Sequence, residues 1–256
     1  MSNPFQDLSG KTALITGASG GLGRHFAELL AGYGVRVAIA ARRHELIESV
    51  AREIAASGAR VLPLALDVTD PESVARAIDR TNDEFGTIDI LVNNAGVSAN
   101  GPALELTATD WDRVLDTNLK GAFLMSTELG RRLRAAKKPG TIINVASVLA
   151  LRGASHVAAY AASKAALVQF TKVLALELAR HQIRVNALAP GYVLTDINRD
   201  FFETDPGREL IRRIPQRRLG DARDLDAPLL LLASDASRFM TGSVLVVDGG
   251  YNIAGV

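Results

Sequence analysis

The sequence predicts one doubly wound α/β domain spanning residues 1–256, with helices on both faces of a mostly parallel, seven-stranded sheet. Three observations carry that expectation. Short aliphatic runs alternate from end to end with longer segments of helical spacing. The runs are continuously apolar, as strands covered on both faces must be. No linker, repeat or low-complexity tract interrupts them, and 48% hydrophobic residues is ample for a core.

The first run, TALIT, ends in a glycine-rich turn from which LGRHFAELLAGYG starts the first helix. VRVAIAA, VLPLAL and IDILVNN are the next three strands, with HELIESVAREIAASG and PESVARAIDRTNDEFG as the helices between them. A helical stretch from Trp111 to Arg134 leads to the fifth strand, GTIINVAS. GASHVAAYAASKAALVQFTKVLALELAR reads as one long buried helix, followed by the strands IRVNALAP and SVLVVDGG. Only Thr195 to Asp221 breaks the rhythm: polar turns and short amphipathic pieces predict a lid at about 195–220, or else a surface excursion. In a sheet of this kind ligands bind at the carboxyl ends of the strands.

Bulk properties narrow the function. Lysine plus arginine (29) nearly balance aspartate plus glutamate (28), so there is no basic field for nucleic acid or an anionic membrane. The absence of cysteine excludes disulfides, thiolate metal sites and a cysteine nucleophile. The opening MSNPFQDLSG has no signal pattern and APLLLLA is too short to span a bilayer, so a cytoplasmic protein is expected. His25, His44 and His181 are scattered without ligand spacing, and no metal site is expected.

Gly17, Gly21 and Gly23 form a G-x-x-x-G-x-G turn between strand and helix, where glycine lets backbone amides approach a pyrophosphate at a helix N-terminus. A turn of this kind also suits a methyltransferase binding adenosylmethionine, or no ligand at all. After the second strand, Ala41 is followed by Arg42 and Arg43 instead of the acid that would hold the ribose hydroxyls of NAD. Two guanidinium groups favour the extra phosphate of NADP(H) over NAD(H), unless they are a solvated helix-entry pair. Asp67 suits the adenine amino group, and Asn93, Asn94, Ala95 and Gly96 suit close approach of a cofactor to the backbone; each also fits plain turn chemistry.

Tyr160 and Lys164 are four residues apart and share a helix face. An ammonium near a phenol favours the phenolate and makes it a usable general acid or base. Ser147, thirteen residues before Tyr160, can hold a carbonyl oxygen beside it, and the amide of Asn118 can order a water behind the lysine. Taken singly, Tyr160 reads equally as a rim tyrosine and Lys164 as a snorkelling cation.

In combination, TGASGGLG, NNAG, the strand-end serine, YAASK and the Pro190–Gly191 pair resemble the classical short-chain dehydrogenase/reductase family over essentially the whole chain. The resemblance implies a Rossmann-type fold, an NAD(P)-dependent ketone reductase or alcohol dehydrogenase, and a catalytic tetrad of Asn118, Ser147, Tyr160 and Lys164. By the same resemblance Tyr160 exchanges the proton, Ser147 positions the substrate oxygen, Lys164 lowers the tyrosine pKa and binds the nicotinamide ribose, and Asn118 holds a relay water. Cofactor contacts are implied for Gly17, Ser19, Gly21, Leu22, Gly23, Arg42, Arg43, Asp67, Val68, Asn94, Ala95, Gly96, Tyr160, Lys164, Pro190, Gly191, Val193 and Thr195, the last at the nicotinamide carboxamide. Many NADP-preferring members carry a basic residue where this chain has Gly20, which leaves the discrimination to Arg42.

The implied substrate site comprises Ser147, Val148, Leu149, His156, Val157, Tyr160, Tyr192, Phe201 and Phe202. That lining suits a ketone with a hydrophobic arm better than a free sugar. The alternative within the enzyme class is a 3-oxoacyl-[acyl-carrier-protein] or acetoacetyl-CoA reductase, with Arg131 to Lys138 as a basic landing site. Against it, Leu176 stands where such reductases carry an arginine. A sugar or polyol dehydrogenase and a catalytically idle dinucleotide sensor are the remaining alternatives. The resemblance also implies a homotetramer assembled through the tyrosine helix, its predecessor and the C-terminal strand region.

Overall fold

The computed structural model describes residues 4–195 and 198–254. Seven strands form one parallel sheet: β1 (Thr12–Thr16), β2 (Arg36–Ala41), β3 (Val61–Ala65), β4 (Ile90–Asn93), β5 (Gly140–Val145), β6 (Ile183–Pro190) and β7 (Val244–Val247). Their order is β3-β2-β1-β4-β5-β6-β7. The chain therefore reverses direction of growth between β1 and β4, and the crevice at their carboxyl ends is where the fold opens.

Side chains of each strand divide between two cores, which explains the continuous apolar runs. Ala13, Ile15, Val37 and Ile39 meet α1 (Gly21–Gly32), α2 (His44–Ala55) and α9 (Asp226–Ala233) on one face. Leu14, Ala38, Leu91 and Ile142 meet α3 (Pro71–Phe85), α5 (Gly121–Ala136) and α6 (Ala158–Leu178) on the other. Phe26 of α1 is fully buried, a contribution of about 1.5–3 kcal/mol from removing its ring from water.

Three local departures from the sequence pattern matter for the site. The stretch from Trp111 to Arg134 is not one helix: α4 (Ala108–Leu115) passes through a π-helical turn, Asp116–Lys120, before α5. The tyrosine helix begins only at Ala158, because His156 takes the left-handed conformation at φ 66° and its carbonyl accepts from the amide of Gly101. The segment after β6 folds into α7 (Arg199–Glu203) and α8 (Asp205–Arg213), and a parallel bridge pairs Val193 with Gly220 at its base. Asp196 and Ile197 of the expected lid, and Gly255 and Val256 of the tail, lie outside the described residues. No helix among the described residues is long and apolar enough to cross a membrane.

Candidate active site

The glycine turn leaves β1 with Gly17 at φ 66° and Gly21 at φ 51°, conformations an L side chain rarely adopts. A Cβ on Gly17 would lie 2.7 Å from Ala95 Cα, whereas one on Gly21 would meet open space. Gly17 thus lets two loops pack together, and Gly21 leaves the backbone uncovered. Asn94 fastens the arrangement: its Nδ2 donates to the carbonyls of Thr16 (3.0 Å) and Gly17 (3.1 Å), and Thr16 Oγ1 accepts from the amides of Asn94 and Ala95. The neighbouring Asn93 works beneath the site. Its Nδ2 donates to Ser126 Oγ and Asn144 Oδ1, both at 2.8 Å, and Asn144 continues to Thr171.

Arg42 and Arg43 follow β2 and are exposed, with Arg43 at the N-cap of α2. Asp67 lies two residues beyond β3. The backbone amide of Thr69 holds its carboxyl below the usual range, with smaller help from the Thr69 hydroxyl and the Arg42 charge against the cost of burial. One Asp67 oxygen takes both Thr69 bonds. The same strand ends therefore bring the Arg42 guanidinium within electrostatic reach of the Asp67 carboxylate.

Ser147 ends the fifth strand's run and caps a short turn, Val148–Ala150, accepting from the amide of Leu149 at 3.1 Å. Its hydroxyl also lies near enough to the Tyr160 phenol to favour the phenolate. Burial pushes the Tyr160 phenol above its ordinary value, and the Ser147 hydroxyl only partly offsets this. The expectation from the sequence was a phenol lowered by Lys164; in the protein alone burial sets the direction, and what opposes it comes from Ser147. The Lys164 ammonium is itself buried, donates to the carbonyl of Val145 at 2.6 Å, lies 5.7 Å from the Tyr160 ring centroid and is pushed down to about 8.

Asn118 falls within the π turn, the kind of helical irregularity common at functional sites. Its Oδ1 accepts from the amide of Val97 (2.8 Å), while Nδ2 donates to the carbonyl of Val97 (2.9 Å) and to Ser163 Oγ (3.0 Å). Both amide hydrogens are thus engaged by the protein. The side chain stitches the π turn, the loop after β4 and the tyrosine helix together at Ser163, the residue before Lys164; the sequence offered no sign that it was so fully occupied. Gly96 completes the junction, since a Cβ there would approach Asn118 Oδ1 and Lys164 Nζ at 3.3 and 3.6 Å.

The residues expected around the substrate separate into two groups. Val148 and Leu149 are buried with Ile214 and Tyr251, and Val157, Tyr160 and Tyr192 pack on them. Tyr192 meets Tyr251 edge-on at 5.2 Å and Phe202 at 6.1 Å. His156 and Phe201 are exposed, although Phe201 touches Phe202. Gly191 passes so close to Asp248 that a Cβ would lie 2.6 Å from its Cα. Thr195 is half-buried, its amide donating to Asn198 Oδ1 at 2.8 Å. Leu176 is 82% exposed.

Sequence reasoning missed Val97, Ser163, Arg152 and Tyr251. Ser163 lay in plain view inside YAASK, and nothing local marked Tyr251 or Arg152. Among the described residues no three His, Asp or Glu side chains gather as a metal site.

Residues 17–252 match the family model described as Enoyl-(Acyl carrier protein) reductase. The chain is 39% identical over 246 residues to 2-dehydro-3-deoxy-D-gluconate 5-dehydrogenase of Dickeya dadantii (strain 3937), covering 96% of each. It is 36% identical over 244 residues to 3-oxoacyl-[acyl-carrier-protein] reductase of Escherichia coli (strain K12), covering 95% of this chain and 98% of the other. Among solved structures it resembles a gluconate 5-dehydrogenase from Burkholderia cenocepacia J2315 in complex with NADP and tartrate. That likeness has TM-score 0.93 and 34% identity, and covers 99% and 100% of the two chains.

Proposed function

The chain belongs to the short-chain dehydrogenase/reductase family of nicotinamide-dependent oxidoreductases, and from that premise we propose that it interconverts a ketone and a secondary alcohol with NADP(H) favoured over NAD(H). The carrying observation is the convergence of Ser147, Tyr160 and Lys164 beside an open glycine turn.

The residues present fit the cofactor. Gly17, Ser19, Gly21, Leu22 and Gly23 would cradle the pyrophosphate, and Arg42 and Arg43 would take the adenosine phosphate. Asp67 and Val68 would border the adenine. Asn94, Ala95, Gly96, Pro190, Gly191, Val193 and Thr195 would line the nicotinamide half. When bound, the nicotinamide supplies or accepts the hydride, chemistry no side chain can perform.

In the reducing direction Ser147 holds the carbonyl oxygen against Tyr160. As the carbonyl carbon gains the hydride, its oxygen takes the phenolic proton, leaving a secondary alcohol, oxidised cofactor and a phenolate. A phenol raised by burial holds that proton until it is needed. Lys164 stabilises the phenolate and would hold the nicotinamide ribose; its ammonium, pushed down to about 8 by burial, is ready to return a proton. With both amide hydrogens of Asn118 engaged, its part is to hold Lys164 and the loop at Val97 in place.

The test is ketone-dependent NADPH oxidation: Tyr160→Phe lowers turnover by about 10²- to 10⁴-fold while NADPH affinity is kept. Near-normal turnover refutes the role. An acyl-carrier reductase is the weaker reading, because the exposed Leu176 stands where such reductases carry an arginine. For assembly, the groove of about 440 Å³ between α4–α5 and α6, lined by Leu115, Leu119, Phe123, Ala166 and Phe170 with Asp116 and Lys120, supports contact with a second copy, as a homotetramer requires.

A further inference from the structure

We infer that Arg152 selects the substrate: it seats a carboxylate, so the enzyme takes a short hydroxy- or oxo-acid in preference to a neutral polyol. The inference rests on the reaction proposed above and names its substrate class.

Arg152 lies at the end of the same turn that presents Ser147, its amide donating to the carbonyl of Val148 at 3.0 Å. Its guanidinium stacks on Tyr251, 4.5 Å from the ring centroid. Nη1 donates to two carbonyls of the C-terminal tail, those of Tyr251 and, at 3.1 Å, Ala254. These contacts lock the plane of the group and use one of its nitrogens. Nε and Nη2, the edge that matches a carboxylate's two oxygens, donate to no partner among the described residues. Neither atom is among the buried polar atoms left without a partner, so this edge opens to solvent.

No described carboxylate lies within ion-pair distance of Arg152. The acid nearest along the tail, Asp248, is spent on the amides of Gly250 (2.9 Å) and Asn252 (2.6 Å). By contrast Arg218 closes a two-toothed pair with Asp224, and Arg132 pairs with Asp79 and Glu128. Tail anchoring explains Nη1 and the ring stack; it does not explain an oriented, unpaired fork.

Arg152 also lies close to the reacting groups. Tyr192 is next to Tyr251, and its phenol is within electrostatic reach of both Arg152 and Tyr160. The cation and the proton-transfer phenol therefore border the same aromatic cluster. A short acid can place its reacting carbon at Tyr160 and Ser147 and its carboxylate on Arg152. This replaces the apolar-armed ketone expected from the sequence with a polar, anionic substrate. The relative named for 2-dehydro-3-deoxy-D-gluconate and the neighbour that holds tartrate accord with it.

The experiment titrates D-gluconate and tartrate, with sorbitol as the neutral control, into NADP-saturated wild type, Arg152→Gln and Arg152→Lys, and follows turnover of the same compounds. Expected is tighter binding of an acid than of sorbitol in the wild type. Arg152→Gln should lower the acid-to-sorbitol affinity ratio by about 10- to 100-fold, with NADPH affinity reporting an intact fold. Should the Gln variant fail to fold, Arg152→Lys decides, since keeping the charge but losing the fork still reduces the ratio several-fold. Acids bound no better than sorbitol, or a ratio unmoved by both variants, overturns the inference. Arg152-dependent acid binding without hydride transfer to any carbonyl upholds the anion site and sinks the reaction reading instead.

Discussion

An ammonium stripped of water is costly, and Lys164 is such a group. Its fall from 10.5 to about 8 corresponds to roughly 3 kcal/mol of lost folding stability in the cofactor-free protein. Below pH 8 both folded and unfolded chains carry the charge, so the folded state bears the whole penalty. Between about 8 and 10.5 the unfolded chain keeps a proton that the folded chain has released, and stability rises with pH. Lys164→Met should therefore melt higher than wild type at pH 7, by up to about 3 kcal/mol, with the advantage shrinking toward pH 10.5. A pH-independent difference in denaturation midpoints would contradict the burial argument. Arg42 carries a second prediction: Arg42→Ala weakens NADPH by about 10- to 100-fold and leaves NADH nearly unchanged, measured by fluorescence titration. Equal weakening of both would remove the NADP preference. Tyr160, Lys164 and Ser147 were legible because spacing alone puts the first two on one helix face. Arg152 was not, because its value comes from carbonyls about 100 residues further along the chain, at Tyr251 and Ala254.

The glycine turn and the π turn each show how an element serves the site. Gly23 admits no Cβ, since that atom would strike Asn94 Nδ2 and the carbonyl of Gly17. Gly23→Ala should cost about 1–3 kcal/mol in thermal denaturation and at least a tenfold loss of NADPH affinity, because the asparagine clamp must shift. Full affinity in that variant would mean that the clamp does not shape the cradle. All seven strands were legible as continuous apolar runs, because both faces of the sheet are covered. The break at Asp116–Lys120 was invisible: a single π turn leaves an apolar pattern that still passes for one helix, and what imposes it is the hold of Asn118 on Val97 and Ser163. Late entry into the tyrosine helix was hidden likewise, since the conformation of His156 is set by its contact with the distant Gly101.

For the molecule as a whole, composition spoke to the core but not to assembly. Phe123, 43% exposed, meets Phe170 edge-on at 6.0 Å across the α5–α6 face. A largely apolar groove of that kind fits contact with a second copy, and on the proposed homotetramer Phe123→Asp should give smaller species than wild type in light scattering; an unchanged mass would place the interface elsewhere. The larger claim is that one sheet holds a phosphate cradle and a proton donor on either side of a carbon that gains hydride. The most direct measurement follows the label from NADPH deuterated at the transferable ring position into the alcohol formed from an oxo-acid. The account predicts one deuterium on the new carbinol carbon, transferred by wild type and all but lost with Tyr160→Phe. An alcohol formed without deuterium, or label transferred equally well by Tyr160→Phe, would contradict it.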